Sequence, residues 1–546
     1  MGESPSKSGA PYDVIIAGYG PVGATAASLL GLRGVRTLVL ERADGVYGLP
    51  RAGTCDDEVM RIWQESGVAE ELMPQFLPQT LIQFLGDSTR PFLELRRPAG
   101  GFGYGYPALL LLYQPLVEET LRRRVDELPA VEVRLEHEVT GVEQTAAGVT
   151  VQALDRRTDA TLEFQGRFLL GCDGGRSTVR ELLGIHLAGR TFQRWLVVDA
   201  AVGDPQRFPT NFQFICDPRR PAITYPMALA HHRWQFLLKP EERPEDVEQE
   251  ESAKRLLEPW IRDEEVEIIR RAVYTYHARI AERWQVDRVF LAGDAAHLTP
   301  PFAGQGMSSG IRDAANLSWK LALVLRGHAD ERILGSYERE RRPHVEKMTR
   351  LALTIGRVLQ TQNRPAAAVR DTGFRLFGRL PGSGFVTGGG FKPDARLPGG
   401  GLVADQRRRR GGGTLFIQPR VSAGGGTMLL DEALGHGFAV IGMGRDPRWL
   451  AKTAPELWEA VETRFIRVVA PGQERGSDPE TVVDVDGALA GWFRRRRADT
   501  VVLRPDRFVF GLYRVGDDAD AAAQDLRRVL GLGALEPAPD LAEAGI

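Results

Sequence analysis

Three glycines near the start of the chain have the spacing of a nucleotide-binding turn. The apolar run 14–17 leads into Gly18, Gly20 and Gly23, and a helix of small residues follows. The first glycine permits a tight turn, the second lets a pyrophosphate approach the backbone, and the third lets helix and strand pack closely. The helix N-terminus adds free amides and the positive end of a dipole. The residues between the last two glycines belong to the same predicted contact set: Pro21 and Val22.

An acidic residue closes the strand that follows this helix. Glu41 comes 18 positions after Gly23, at the end of the apolar run 37–40, and Arg42 follows it. A carboxylate at this place accepts hydrogen bonds from both hydroxyls of a ribose. The strand, the glycines, the helix and the acid together predict a dinucleotide site, and they leave open whether the dinucleotide is FAD or NAD.

Composition limits the classes of function. A chain of 546 residues is long enough for two or three domains with large cores. A net charge of −2 gives no general attraction to nucleic acid. The three cysteines, Cys55, Cys172 and Cys216, form no C-x-x-C pair, so the sequence predicts no metal site, and their low number suits a reducing cytoplasm. Residues 1–10 are too polar for a signal peptide, and no apolar run is long enough to span a membrane.

Two more glycine turns lie far along the chain. Apolar residues 168–170 lead into Asp173 and Gly174, and the apolar run 289–292 leads into Gly293 and Asp294. Each predicts a strand, a turn and a helix start, as in a loop that contacts a cofactor. The turn at Gly293, the third in the chain, continues through a Pro/Gly-rich stretch into a long helix from residue 308.

The remaining patterns predict an α/β protein with an inserted β region. Residues 190–285 contain alternating runs typical of antiparallel strands, including 197–202, 211–216 and 233–238. Residues 382–401 are rich in glycine and proline, and strands and helices alternate after them. We therefore expect a nucleotide-binding domain, a β subdomain inserted into it, and a small α/β domain at the end.

The three glycine turns, in this order, resemble those of the class A flavoprotein aromatic monooxygenases of the para-hydroxybenzoate hydroxylase superfamily. The stretches 216–221, 233–236 and 300–320 are similar to the 3-(3-hydroxyphenyl)propionate hydroxylase branch. The resemblance covers about residues 11–360, and the C-terminal part is similar to a thioredoxin-like domain without its C-x-x-C pair. It implies a Rossmann-like FAD-binding domain at 11–185 and 286–385, a β-sheet substrate domain at 186–285, a linker at 386–400 and a thioredoxin-like domain at 401–546.

The resemblance also implies a set of cofactor residues. Glu41 would hold the ribose of FAD, Arg51, Gln114 and Arg122 would contact the cofactor, and Asp294 would hold the ribityl chain or the pyrophosphate. Asp173 and Gly174 would serve both FAD and the nicotinamide cofactor. The full predicted set is Gly18, Gly20, Pro21, Val22, Gly23, Glu41, Arg42, Arg51, Gln114, Arg122, Asp173, Gly174, Gly293, Asp294, Pro301, Gly304, Gly306 and Met307.

The implied reaction consumes NADH or NADPH and O2. NAD(P)H would dock transiently and reduce FAD, and a flavin C4a-hydroperoxide would then transfer oxygen to an electron-rich, phenolic ring. Exclusion of water protects such an intermediate from loss as H2O2. The expected partners are a small aromatic substrate and O2, with neither nucleic acid nor a membrane, and packing or homodimer formation is the expected role of the C-terminal domain.

A base near the phenol would assist the reaction, and several residues are candidates. Asp56 stands where phenol hydroxylase relatives carry a catalytic acid, although an acid there is also a helix cap. Tyr225 lies on a strand that could wall the pocket, and His297 directly follows the third glycine turn. Pro301 belongs to the loop expected to line the reactive ring. His231 and His232 have the pattern of a hairpin tip, for which we expect exposure to solvent.

Other functions stay open. A tailoring oxygenase of a polyketide or other phenolic natural product would use the same motifs, since one fold hosts many substrates. A flavin-dependent halogenase would carry a Trp-x-Trp-x-Ile-Pro signature, which is absent from the sequence. An FAD oxidoreductase that does not hydroxylate and a non-catalytic FAD-binding protein are further alternatives, although three intact cofactor motifs argue against the latter.

Overall fold

The computed structural model of the chain describes residues 11–86, 90–261, 266–380, 392–398, 401–404, 411–473, 478–514 and 519–532. The chain divides into two compact units. Unit 1 contains Met1–Ala315 and Arg342–Pro393, and unit 2 contains Asn316–Arg341 and Asp394–Ile546. Of the predicted linker 386–400, residues 386–391 and 399–400 lie outside the described residues, as does the polar stretch 1–10.

Strands occupy both units. In chain order they are β1 Tyr12–Ala17, β2 Thr37–Leu40, β3 Thr54–Cys55, β4 Leu77–Pro78, β5 Leu81–Leu85, β6 Pro91–Arg96, β7 Leu110–Leu111, β8 Val131–Arg134, β9 His137–Gln144, β10 Val149–Asp155, β11 Ala160–Gly171, β12 Leu187–Val202, β13 Phe212–Ile215, β14 Ala222–Met227, β15 His231–Leu237, β16 Val266–Ala281, β17 Gln285–Val286, β18 Val289–Leu291, β19 His297–Leu298, β20 Arg420–Ala423, β21 Gly426–Leu429, β22 Ala439–Met443, β23 Arg464–Val469, β24 Thr481–Asp484, β25 Thr500–Leu503 and β26 Val509–Tyr513.

Helices lie between these strands. They are α1 Pro21–Leu32, α2 Asp57–Glu65, α3 Ala69–Leu72, α4 Gln114–Asp126, α5 Thr178–Leu182, α6 Pro244–Val247, α7 Glu250–Leu257, α8 Gly306–Leu325, α9 Ser336–Leu359, α10 Arg364–Phe377, α11 Leu430–Leu434, α12 Pro455–Ala460, α13 Ala488–Arg496 and α14 Ala519–Leu530. Across the described ranges, no helix has both the length and the apolar character needed to cross a membrane.

Sheet 1 brings the three glycine turns together. Its strand order is β17-β18-β11-β1-β2-β8, with β10 paired to β11 and β9 paired to β10. The strands β18, β11 and β1 are parallel, and Ala17 pairs with Gly171, which in turn pairs with Leu291. Because the carboxyl ends of parallel strands meet at one edge, the turns after β1, β11 and β18 lie side by side. The α/β fold with a parallel nucleotide-binding sheet is as predicted.

Sheet 2 combines strands from residues 186–285, the range predicted as a β subdomain, with three strands from outside that range, β5, β6 and β19. Its order is β19-β16-β12-β15-β14-β13-β5-β6. Strands β5 and β6 come from residues 81–96, outside the predicted range 186–285, and join through the parallel pairing of β5 with β13. Successive residues of β12 face opposite sides, so Trp195 packs into one apolar core and Leu196 into another. The predicted boundary missed β5 and β6 because strand pairing over 130 residues leaves no local sequence pattern.

Unit 2 is built on a third sheet. The order is β21-β20-β24-β23-β22-β25-β26, with β22, β23 and β24 parallel and β25 and β26 antiparallel. Residues 316–341 belong to this unit, whereas the prediction placed them in the FAD-binding domain. The physical reason is a buried ion cluster, in which Lys320 and Glu340 meet Arg504. The thioredoxin-like character of the unit stays a prediction.

Candidate active site

The first glycine turn is shaped by close backbone contacts. Gly18 has a φ of +97°, and a Cβ there would lie 2.5 Å from the carbonyl oxygen of Cys172. A Cβ on Gly23 would lie 2.0 Å from the carbonyl oxygen of Gly18. A Cβ on Gly20 would meet no atom of the described residues within 4 Å, and this residue lines the cavity together with Pro21 and Val22. The backbone at the middle glycine is therefore accessible to a ligand, as a phosphate-binding loop requires.

Glu41 and Arg42 lie at the end of β2 and line the same cavity. Glu41 accepts the amide of Tyr19 at 2.7 Å and the amide of Ala43 at 2.9 Å, which fixes its carboxylate beside the glycine turn. Arg122 donates to the carbonyl oxygen of Tyr19 at 3.0 Å and lies over its ring. Arg122 is not among the residues that line the cavity, so in this structure it supports the turn through Tyr19.

Arg51 and Gln114 lie on the neighbouring wall. Gln114 begins α4, accepts the amide of Ala52 at 2.5 Å and donates to Glu118 at 2.6 Å. Burial raises the pKa of the Glu118 carboxyl, which the bond from Gln114 opposes. Gln114 therefore anchors the loop that carries Arg51 to helix α4.

The second turn presents an acid that is only half satisfied. One oxygen of Asp173 accepts the amide of Val179 at 3.0 Å, while its Oδ1 is buried without a hydrogen-bond partner among the described residues. Burial raises the pKa of this carboxyl, against the hydrogen bonds that it accepts. Gly174 follows with a φ of +82°, and both residues line the cavity. A buried, unpaired acceptor fits a ligand that supplies a donor, such as a hydroxyl of a bound nucleotide.

The third turn adds a second acid. Gly293 has a φ of +61°, and a Cβ there would lie 2.9 Å from a methyl group of Val22. Asp294 lines the cavity, and burial raises the pKa of its carboxyl, which His297 and Arg51 oppose. The turn is thus packed against α1, with its acid directed at the shared cavity.

The stretch before α8 forms the far end of the cavity. Residues Pro301–Ala303 make a 3-10 turn, and Gly304 follows with a φ of +62°. A Cβ on Gly304 would lie 2.4 Å from the hydroxyl of Thr54, so only glycine fits there. Helix α8 begins at Gly306, and Pro301, Gly304, Gly306 and Met307 all line the cavity. Free amides and a positive dipole end therefore face the cavity at this point.

Sheet 2 contributes a wall that the sequence analysis largely missed. Tyr276 donates a hydrogen bond to Gln235 at 2.9 Å. The hydroxyl of Tyr225 accepts hydrogen bonds from Gln235 at 3.5 Å and from Arg233 at 3.4 Å. Burial raises the pKa of Tyr276. The wall consists of Val197, Phe212, Ile223, Tyr225, Arg233, Gln235, Arg270, Tyr274 and Tyr276. The period of two in β15, which sends Arg233 and Gln235 to one face, is the sequence signal that could have identified them.

Asp56 is buried in an ion cluster rather than in the cavity wall. It caps α2 by accepting the amide of Val59 at 3.2 Å, and it pairs with Arg312 and with Lys392. Burial would raise the pKa of its carboxyl, but the two cations outweigh burial and hold it well below the usual range. Gln305, which does line the cavity, donates to Asp56 at 3.2 Å. The predicted catalytic role of Asp56 stays a prediction, and the geometry gives it an indirect route through Gln305.

The histidine candidates occupy different surroundings. His297 is fully buried and bonds to Asp313 at 2.7 Å, beneath the third turn and outside the cavity wall. His232 is also buried, because its ring packs on Trp234 and bonds to the Thr224 hydroxyl at 2.7 Å. The expected exposure of a hairpin tip was therefore wrong for His232, since β15 already begins at residue 231.

One cavity of about 530 Å³ joins all these walls. It runs from the bare glycine and Glu41, past the acids of the second and third turns, to Pro301 and the wall of sheet 2. An open phosphate turn, a carboxylate at the ribose position and the unpaired oxygen of Asp173 are the donors and acceptors that FAD requires. The residues present therefore fit this cofactor.

Comparisons with known proteins agree with this geometry. The sequence model of the FAD binding domain family matches residues 11–352, and that of the HcaD C-terminal domain matches residues 413–529. A 3-(3-hydroxy-phenyl)propionate/3-hydroxycinnamic acid hydroxylase of Mycobacterium sp. (strain JLS) is 40% identical over 511 residues, covering 91% of this chain and 89% of the relative.

Solved structures share the fold over nearly the whole chain. The flavin-dependent monooxygenase PieE, solved with FAD and substrate, superposes with a TM-score of 0.80 at 23% identity, covering 96% of this chain and 100% of its own. The OxyS anhydrotetracycline hydroxylase from Streptomyces rimosus gives a TM-score of 0.76 at 26% identity, with the same coverage.

Proposed function

The chain belongs to the FAD binding domain family and is an FAD-dependent aromatic monooxygenase, and from this premise we propose that it hydroxylates a phenol that carries an acidic side chain. NADH or NADPH supplies the electrons and O2 the oxygen atom. The relative with 40% identity is named for substrates of this chemistry, a hydroxyphenyl ring with a propionate or acrylate chain.

The continuity of the cavity is the observation that carries the proposal. The nucleotide turns at one end and the aromatic, hydrogen-bonding wall of sheet 2 at the other line a single space. A dehydrogenase with a separate coenzyme domain would not need this wall. A shared space lets a small aromatic ring lie against the reactive end of a bound flavin.

Bound FAD would supply the electron transfer and the activation of O2. The chain's own residues bind and orient it. The bare amides around Gly20 would hold the pyrophosphate, Glu41 the ribose, and the amides at Gly306 and Met307 the electronegative edge of the ring. Pro301 and Gly304 line the same part of the cavity and would help to exclude water there.

On the substrate side, Tyr225 is set to donate a hydrogen bond. Its oxygen already accepts from Arg233 and Gln235, so its own proton is free to point at a substrate oxygen. A donor at this place stabilises the phenolate form of the substrate, whose ring is more electron-rich. Arg270, also in the cavity wall, adds positive charge that suits a substrate carboxylate.

A tailoring oxygenase of polycyclic phenols is the second candidate. The observation in its favour is the likeness to OxyS, which extends over 96% of this chain. Such a substrate would fill the same wall of sheet 2 without a flexible acidic chain.

A substrate panel separates the two candidates. The holoenzyme is supplied with NADH or NADPH and with 3-(3-hydroxyphenyl)propionate, 3-ethylphenol or anhydrotetracycline. We expect oxidation of the nicotinamide and a hydroxylated product with the propionate, and a kcat/KM roughly tenfold to a hundredfold lower with 3-ethylphenol, since a charged hydrogen bond is worth about 1.5–3 kcal/mol. Preference for 3-ethylphenol would contradict the acidic side chain, and preference for anhydrotetracycline would establish the second candidate.

A further inference from the structure

A row of four polar side chains crosses sheet 2 beside the cavity. Arg270, Asp199, Arg233 and Tyr225 lie directly opposite one another on the adjacent strands β16, β12, β15 and β14. Cross-strand partners of this kind share one face of a sheet. We call the first three residues of the row the arginine clamp.

Asp199 is the only carboxylate of the arginine clamp, and it is fully buried. It binds Arg233 in a two-pronged contact, at 2.5 Å to Nε and 2.9 Å to Nη2, and lies 3.6 Å from Nη1 of Arg270. Such a fork fixes the plane of a guanidinium, which a lysine could not reproduce.

Other donors of the arginine clamp reach a loop beside the sheet. Arg233 donates from Nη2 to the carbonyl oxygen of Pro50 at 2.7 Å and from Nη1 to that of Arg51 at 2.8 Å. Arg270 also donates to the carbonyl oxygen of Pro50. These carbonyls belong to the segment 50–54, whose residues Arg51 to Thr54 line the cavity, and Gln114 holds it from the other side through the amide of Ala52.

The same guanidinium also reaches the substrate wall. Nη1 of Arg233 lies 3.4 Å from the hydroxyl of Tyr225, and a Cβ on Gly53 would lie 2.7 Å from that hydroxyl. The loop and Tyr225 are therefore in contact, and one side chain is bonded to both. Burying two guanidiniums beside one carboxylate costs desolvation free energy, and an apolar row would stabilise the sheet as well.

We propose that Arg233 is a positioning residue that fixes the loop 50–54 and the Tyr225 hydroxyl relative to each other, and so sets the distance between the flavin-facing loop and the bound substrate. This inference rests on the proposed function for its catalytic consequence. If the two groups are misplaced, the substrate ring is not aligned for hydroxylation. The electrons from NAD(P)H then reduce O2 to H2O2, and the substrate is not hydroxylated.

The variant Arg233→Lys tests the proposal in the FAD-bound protein. Lysine keeps the charge and a contact with Asp199 but cannot bridge that carboxylate and two carbonyls. We expect hydrogen–deuterium exchange of the peptide 47–54 to rise roughly tenfold, and the product formed per NAD(P)H consumed to fall by about tenfold or more. The yield is compared at equal amounts of bound FAD, because the loop also carries Arg51, a predicted cofactor residue.

The control is Arg271→Lys. Arg271 follows Arg270 on β16, and its guanidinium contacts Glu248 and Glu250 and does not line the cavity. This variant should leave both readouts unchanged. Asp199→Asn is the second variant, since it weakens the fork with little change of shape and should raise exchange at 47–54 in the same direction. If the wild type hydroxylates no phenol, the proposed function fails while the exchange result still decides whether the arginine clamp holds the loop.

Two outcomes would overturn the inference. Exchange at 47–54 that is the same in Arg233→Lys, Asp199→Asn and the wild type would show that the arginine clamp does not hold the loop. Faster exchange at an unchanged yield of product per NAD(P)H would show that the loop position has no bearing on catalysis.

Discussion

At the scale of single residues, Asp56, the acid predicted as a catalytic base, does not line the cavity, whereas Tyr225 does. The carboxylate of Asp56 forms ion pairs with Arg312 and Lys392. The sequence placed Tyr225 on a strand that could wall the pocket and made it one of several candidate catalytic residues. Its hydrogen bonds to Arg233 and Gln235 come from residues eight and ten positions later, which meet it only once the hairpin is formed.

His232 makes unit 1 sensitive to acid. Burial lowers the pKa of its imidazole from 6.5 to about 3. Below pH 6.5 the unfolded chain therefore binds a proton that the native protein does not, so the free energy of unfolding falls as the pH falls from 6.5 towards 3. At pH 5 this residue should cost about 2 kcal/mol relative to pH 7. Urea unfolding at the two pH values measures this loss.

The variant His232→Gln should show a smaller drop between pH 7 and pH 5 than the wild type. His231→Gln, which removes the adjacent imidazole, is the matched control. An equal loss of stability in the wild type and in His232→Gln would contradict the assignment.

At the scale of elements, the glycine turns were predictable because their requirements are local. Gly18, Gly23 and Gly304 each adopt a conformation or a contact that a Cβ would prevent, and the spacing of glycines records this directly. The edge at which the three turns meet follows from the parallel order of β1, β11 and β18. The joining of β5 and β6 to sheet 2 could not be predicted, because that pairing depends on residues far apart in sequence.

Two glycines of the first turn should respond differently to alanine. Gly23→Ala places a Cβ 2.0 Å from the carbonyl oxygen of Gly18 and should destabilise the FAD-free protein. The Cβ of Gly20→Ala meets nothing within 4 Å in the part of the chain that the structure describes, so the FAD-free protein should keep its stability to within about 0.5 kcal/mol. Its methyl group would occupy the space of the pyrophosphate, and FAD affinity should fall roughly tenfold or more.

Thermal unfolding without FAD and a fluorescence titration with FAD separate the two effects. Gly373→Ala, at an open position in α10, serves as the control for both measurements. Unchanged FAD affinity in Gly20→Ala would argue against a ligand at this turn.

At the scale of the whole molecule, unit 2 is held by a buried charge cluster that no sequence pattern indicated. Glu340 accepts from both terminal nitrogens of Arg504 at 2.7 and 2.9 Å, from Lys320 at 2.8 Å and from Asn316 at 2.8 Å. Its members come from helices α8 and α9 and from residue 504. Sequence reasoning assigned those helices by continuity with the preceding motif, whereas buried ion pairing groups their residues 316–341 with unit 2.

Removing the central carboxylate should unfold unit 2 more easily. Glu340→Gln leaves two buried cations with too little negative charge, and the free energy of unfolding should fall by about 3–5 kcal/mol. Glu462→Gln breaks the surface pair with Arg326 in the same unit and should cost less than about 1 kcal/mol. Urea unfolding followed by circular dichroism compares the two, and similar losses in both variants would refute the importance of the cluster.

The central claim is that the protein inserts one atom of O2 into a phenolic acid. The most direct measurement is a turnover of the FAD-bound protein with NADH or NADPH and 3-(3-hydroxyphenyl)propionate under isotopically labelled O2, with mass analysis of the product. We predict a hydroxylated product that carries one oxygen atom from the labelled gas. A product whose new oxygen comes from water, or consumption of NAD(P)H that yields only H2O2, would contradict it.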